Sequence, residues 1–163
     1  MDLSDALEEA DHLGNDCAAH ACVKRLRSIG DELVDHLEQA SGDDLAFARF
    51  MMGSVCSMLG FQQQAETSYR AALKTWPDHV GILNELFDVL TAQGKYGDAE
   101  QIIRESIRHG GETPAILRNH AMVLAHLGKR NEARVVLLNC IAKFPNDAES
   151  REFLQQLEAP AGS

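Results

Sequence analysis

The chain has 163 residues, of which 45% are hydrophobic, and a formal net charge of −10 at pH 7. That length suffices for one well-buried domain, no stretch of about 20 apolar residues is present to span a membrane, and Met1-Asp2-Leu3-Ser4-Asp5 lacks the basic and apolar regions of a signal peptide. Residues 1–46 hold twelve acidic and three basic residues, whereas 47–163 hold thirteen and twelve. Without a basic stripe no nucleic-acid binding is expected. The acidic segment reads first as a solubilising helix face, and alternatively as an attractor for a basic partner.

In chain order, residues 3–13 read as a short helix broken at Gly14-Asn15. Asp16 then caps a longer pattern running to about Ala40, with Val23, Leu26, Ile29, Leu33, Val34 and Leu37 on its apolar side and a point of weakness at Gly30. Residues 1–45 thus form an acidic helical arm, expected to cover a following helix whose Phe47, Phe50, Met51, Val55 and Met58 are too apolar to face water alone. His12, Cys17, His20 and Cys22 lie in this arm, but they lack the paired, close spacing of structural zinc sites. No metal or other cofactor is expected. The remaining cysteines, Cys56 and Cys140, fall on apolar stripes and read as small core residues in a reduced, cytoplasmic chain.

From residue 46 the sequence repeats. Gly60, Gly94 and Gly128 are spaced by 34 residues, and the same interval relates Ala65, Ala99 and Ala133, then Ala72, Ser106 and Cys140, then Pro77, Gly111 and Pro145. The units are 46–79, 80–113 and 114–147, each reading as helix, glycine turn, helix, breaker. In the first, a nearly all-apolar helix from Leu45 to Leu59 ends at Gly60. A second runs from Gln62 to Thr75 with Ala65, Tyr69, Ala72 and Leu73 on one face, and Trp76-Pro77-Asp78 stops it, Asp78 being placed to cap the next.

The second unit carries Ile82, Leu83, Leu86, Val89 and Leu90, then Ala99, Ile102, Ile103 and Ile107, ending at His109-Gly110-Gly111. Thr113-Pro114 opens the third as N-cap and first-turn proline. Its stripes are Ile116, Leu117, Val123, Leu124 and Leu127, then Ala133, Val136, Leu137, Cys140 and Ile141. Small residues are expected where paired helices cross closely: Gly53, Ala65 and Ala72 at one crossing, Ala121, Ala133 and Cys140 at another. Phe87 occupies the equivalent slot of the middle unit and implies a wider pair or a ring turned aside. Residues 148–158 form a capping helix with Leu154 and Leu157 inward, and 159–163 a tail.

The 34-residue period with small residues at fixed slots resembles tetratricopeptide repeats over residues 46–147. The resemblance implies an all-α, right-handed helical solenoid of three helix-turn-helix repeats with an N-terminal arm and a C-terminal cap. In that family the first helix of each repeat lines a concave peptide-binding surface. Carried over by slot, this gives Phe47, Phe50, Met51, Ser54 and Met58, then Gly81, Asn84, Glu85, Asp88 and Thr91, then Ala115, Arg118, Asn119, Met122 and His126. Asn84, Asp88, Arg118 and Asn119 would pair with the backbone of an extended peptide, and Met58 and Met122 would adapt to its apolar side chains. The aromatic end, Phe47 and Phe50, is equally open to being filled by the N-terminal helix. The two-carboxylate clamp of heat-shock co-chaperones, built of Lys, Asn and Arg, is not expected, because its slots hold Phe50, Ser54, Glu85, Ala115 and Asn119.

His120 falls in a buried slot and reads as a hydrogen-bonded core residue. No Ser/His/Asp set, phosphate loop or carboxylate pair in a pocket is apparent. The chain reads as a non-catalytic adaptor or chaperone for a protein or peptide partner. In length, acidity and repeat number it resembles the bacterial type III secretion chaperones of translocator proteins. The alternative is a scaffold that self-associates, as a homodimer, through the arm and the solenoid ends.

Overall fold

The computed structural model describes residues 41–159, together with Lys24 and Ser28. The arm helices, the cluster of His12, Cys17, His20 and Cys22, the face on Val23, Leu26 and Leu33, and the last four residues of the tail lie outside the described residues. Seven helices and no strand occur among those described: α1 (Gly42–Met58), α2 (Gln62–Leu73), α3 (Val80–Ala92), α4 (Tyr96–Gly110), α5 (Pro114–His126), α6 (Arg130–Lys143) and α7 (Ala148–Glu158). None is long and apolar enough to cross a membrane. The chain divides into two compact units, residues 1–89 and 90–163.

One turn chemistry serves all three repeats. Gly60, Gly94 and Gly128 have φ of +86°, +71° and +74°, the left-handed region that side chains resist. Each lets the next amide reach back to close the helix end: Phe61 N to Cys56 O at 2.8 Å, Lys95 N to Leu90 O at 2.9 Å and Lys129 N to Leu124 O at 2.8 Å. The glycine amides bond to Ser57, Thr91 and Ala125, completing the Schellman pattern. The 34-residue glycine period is therefore a period of helix C-termini.

Helix starts differ from one another. Thr113 caps α5, its Oγ1 accepting from Ile116 N at 3.3 Å with Pro114 in the first turn. Asp147 caps α7 through Ser150 N at 3.0 Å. At α3 the expected Asp78 is displaced by His79, whose Nδ1 accepts from Ile82 N at 3.2 Å. His79 lies one residue nearer the helix, in register with the third amide. The first helix also begins earlier than Leu45, at Gly42, where Asp43 Oδ1 accepts from Trp76 Nε1 at 2.8 Å.

Within the first unit, Ala65, Tyr69 and Ala72 of α2 are fully buried, as are Ala46 and Cys56 of α1. The close approach is made by Gly53: a Cβ there would lie 2.6 Å from two carbons of the Tyr69 ring. Phe87 is buried at 2% exposure. Within the second unit, Ala121, Leu124, Ala133 and Leu137 form one core with Leu157 of α7, and Phe153, Leu154 and Val136 pack against it. Burial raises the Cys56 thiol to about 11, so it stays protonated and apolar. Cys140 is likewise buried and free, its Sγ 3.2 Å from Ser150 Oγ.

Two buried carboxylates sit one period apart, Glu66 and Glu100. Glu66 Oε1 accepts from Arg70 Nε at 2.9 Å. Glu100 accepts from Arg104 Nη2 at 2.6 Å and from Lys129 Nζ at 2.7 Å, tying α4 to the start of α6. The hydrogen bond from Lys129, with help from Arg104, holds the Glu100 carboxyl below its usual range despite burial.

Gly53→Ala is expected to lower the stability by about 1–3 kcal/mol, because the Tyr69 ring must move; the urea midpoint checks it. Glu100→Gln is expected to cost about 1–3 kcal/mol at pH 7. The native carboxyl titrates below its unfolded value of about 4.3. The stabilisation is therefore complete above that value and lost as pH falls through the lower native pKa. Wild type and variant should converge in stability once the pH falls below the native pKa and diverge at neutral pH.

Candidate functional site

In the first unit the proposed peptide-facing residues meet an aromatic chain. Ser54 lies one turn from Phe50, and its Oγ donates to Phe50 O at 3.3 Å. The Phe50 ring centroid is 6.1 Å from those of both Tyr69 and His79, and His79 stacks on Trp76 at 5.7 Å. His79 is also the cap of α3, and Trp76 is held by Asp43, so two neighbouring rings at one end of this chain are anchored.

Tyr69 links the aromatic side to the acidic one. Its single phenolic hydrogen faces two acceptors, Ser54 Oγ and Glu85 Oε2, each at 3.3 Å. Burial above all pushes the phenol up to about 12, so it remains a donor at neutral pH. Asp88 follows Glu85 by three residues on α3, and both are exposed. Desolvation, then the Glu85 charge, raises the Asp88 carboxyl above its ordinary value. Nearby polar groups are thus acceptors in excess of donors, which suits a cationic or hydrogen-bond-donating ligand. Phe47 and Met58, at 56% and 68% exposure, present large apolar surface on α1, while Met51 and Asn84 are half-buried.

The second unit treats its candidates differently. Arg118 is committed within the chain: Nη1 reaches both Asp147 oxygens, at 2.7 and 2.8 Å, and Nη2 reaches Glu149 at 2.6 Å. Rather than offering a cation to a peptide, it fastens α5 to the start of α7. Hydrogen bonds from Ser150, and then the Arg118 guanidinium, hold the Asp147 carboxyl below its usual value. His126 is exposed and stacks flat on Tyr96, with centroids 4.3 Å apart and planes at 1°. Asn119, Met122 and Thr91 are half-buried. His120 is buried as expected, but its Nε2 has no hydrogen-bond partner. The hydrogen-bonded reading does not hold for that nitrogen.

Sequence reasoning placed Tyr69 on a packing face and did not assign it to the site. The pairing of one conspicuous glycine, Gly53, with a large ring on the next helix is the signal that points to it. No group of three or more potential metal ligands occurs among the described residues.

No family model and no curated protein matches this sequence. Solved structures do. A double mutant of MamA from strain RS-1 superposes with a TM-score of 0.73 at 14% identity, covering 94% of this chain and 83% of that one. The N-terminal domain of stress-induced protein-1 (STI-1) from C. elegans gives 0.64 at 16% identity, covering 74% and 99%. The first TPR of Spaghetti (RPAP3), bound to the HSP90 peptide SRMEEVD, gives 0.61 at 15% identity, covering 69% and 89%. The fold is that of the tetratricopeptide repeat. The glycine-closed helix pairs are its repeating unit here, and α7 packs on the last of them.

Arg118→Ala should leave the repeats folded and loosen the cap. Backbone amides of 150–157 are expected to exchange faster with deuterium, while those of α5 and α6 that face the core keep most of their protection.

Proposed function

We propose that this chain is a non-catalytic interaction module that binds an extended peptide segment of a protein partner along the first helices of its repeats, as an adaptor or chaperone. The repeats would be bounded at 46–79, 80–113 and 114–147, between the acidic arm (1–45) and the capping helix (148–158). The observation that carries this reading is the joined aromatic and acidic character of the first unit, where the Phe50 ring lies beside Tyr69, Ser54 and Glu85 accept from the Tyr69 hydroxyl, and Asp88 stands exposed three residues beyond Glu85 on α3. Phe47, Met51 and Met58 extend its apolar side, and Asn84 its polar side. In the second unit Thr91, Asn119, Met122 and His126 would contact the ligand, with Arg118 acting through the cap it holds.

Peptide capture by a repeat domain of the same fold, that of RPAP3, supports the reading. Its acidic ligand does not suit this chain: Glu85 and Asp88 would repel carboxylates and attract a lysine or arginine. Two buried free thiols support a cytoplasmic setting. A secretion chaperone is the narrower form of the reading, and draws on the likeness in length, acidity and repeat number to translocator chaperones.

The test is a panel of fluorescent peptides of one apolar sequence with lysine, glutamine or glutamate at a central position. Binding is expected to favour lysine over glutamine by about three- to five-fold, more so at low salt. Glu85→Gln with Asp88→Asn should abolish that preference without changing the melting midpoint. Equal binding of the lysine and glutamate peptides, or a preference that survives in the variant, would sink the assignment.

A further inference from the structure

The acidic arm contains one segment of the opposite charge. Its three basic residues, Lys24, Arg25 and Arg27, fall within four positions, and no acidic residue occurs between Asp16 and Asp31. Val23, Leu26 and Ile29 interleave with them. At about 100° per residue these three apolar side chains share one side of a helix, Arg25 and Arg27 flank it, and Lys24 lies opposite. Lys24, which is among the described residues, is helical and exposed.

On α1 the large exposed side chains belong to one stripe. Phe47, Met51, Ser54 and Met58 follow one another by four, three and four residues, the spacing that stacks side chains on one side of a helix. Phe47 and Met58 are exposed at 56% and 68%. Negative charge adjoins the stripe: Ser54 Oγ and Glu85 Oε2 share the Tyr69 hydroxyl at 3.3 Å each, and Asp88 is three residues beyond Glu85. Both acidic residues are exposed, and the charge acting on Asp88 is the like charge of Glu85. The face is thus apolar on α1 and acidic on α3.

The segment and the face are close along the chain. The helical pattern of the arm runs to about Ala40, and α1 begins at Gly42, whose φ of +57° turns the backbone between them. Helices joined by so short a connection run antiparallel. From Arg27 to Ser41 is about 21 Å of helix, and α1, of 17 residues, is about 25 Å long. An arm folded back along α1 therefore brings 23–29 beside its C-terminal half, where Ser54 and Met58 lie.

We infer that residues 22–29 of the arm dock on the first-unit face of their own chain, as a built-in competitor of the partner segment. Leu26 and its apolar neighbours cover Met58 and the adjoining stripe. Arg25 and Arg27 border that contact and place a guanidinium against Glu85 and Asp88. Charge selects this segment, because the remaining apolar positions of the arm stand among carboxylates, which Glu85 and Asp88 repel. The inference rests on the peptide-binding reading of the same face and adds its regulation. A partner must displace the arm, and its apparent affinity is the intrinsic one multiplied by the fraction of chains whose face is free.

The full chain, ¹³C-labelled at its methionine, leucine and isoleucine methyls, is compared with its Arg25→Gln, Arg27→Gln variant before and after addition of the central-lysine peptide. Before peptide, wild type is expected to show nuclear Overhauser contacts between the Met58 methyl and those of Leu26 or Ile29. The variant should weaken them and shift Met51 and Met58, leaving Met122 of the second unit unmoved, and should bind the peptide about three-fold tighter. Glu85→Gln with Asp88→Asn should weaken the same contacts. Contacts absent from wild type, or undiminished in either variant, overturn the inference. Contacts that form only between differently labelled copies overturn it too, and give the face to a second chain. Contacts in a chain that binds no peptide would support the docking and sink the peptide reading; peptide binding without the contacts would do the reverse.

Discussion

The left-handed glycine after each first helix is the constraint from which the rest follows. An L side chain at Gly60, Gly94 or Gly128 would resist the positive φ that brings the next amide back over the helix end. With that bond made at Gly60 and at Gly128, the chain reverses within a few residues, and α2 packs beside α1 and α6 beside α5. The pairing of a first-helix glycine with a second-helix tyrosine, Gly53 with Tyr69, is available only because the reversal has already set the two helices side by side. Where the small residue is Ala121, the slot equivalent to Tyr69 holds the smaller Leu137, which shares one core with Leu124, Ala133 and Leu157.

Polar chemistry is arranged around this frame so that most cations are used internally. Arg70 and Arg104 serve the buried Glu66 and Glu100, Lys129 reaches Glu100 from the next helix, and Arg118 holds the cap through Asp147 and Glu149. The near-neutral charge of residues 47–163 therefore does not mean an evenly mixed surface. Glu85 and Asp88 remain exposed on α3, and Glu85 accepts from the Tyr69 hydroxyl. An exposed face of this kind favours hydrogen-bond donors and cations over carboxylates.

The two histidines of α5 show how one helix serves two ends. His126 is exposed and covers Tyr96 with its ring plane, an arrangement that orders a surface aromatic. His120 is buried, and its Nε2 has no hydrogen-bond partner.

By itself the sequence determined the local part of this protein. The three glycine turns, the Thr113 cap with its following proline and the apolar stripes depend on interactions within about six residues, and a 34-residue period displays the glycine turns three times over. The choice of His79 over Asp78 as a cap escaped that reading, because both types accept an amide and a one-residue shift decides which is in register. Tertiary structure alone decided the partners. Arg118 meets Asp147 across 29 residues, Lys129 meets Glu100 across 29, and Tyr69 meets Glu85 across 16. Periodicity assigns a residue to a slot on a helix, but which charge lies opposite is set by how the helices cross. The Glu66 and Glu100 pairs were visible as a repeated Glu-x-x-x-Arg at the 34-residue interval; that they were buried, and that His120 was left without a partner, became evident only once the neighbouring helices had closed around them.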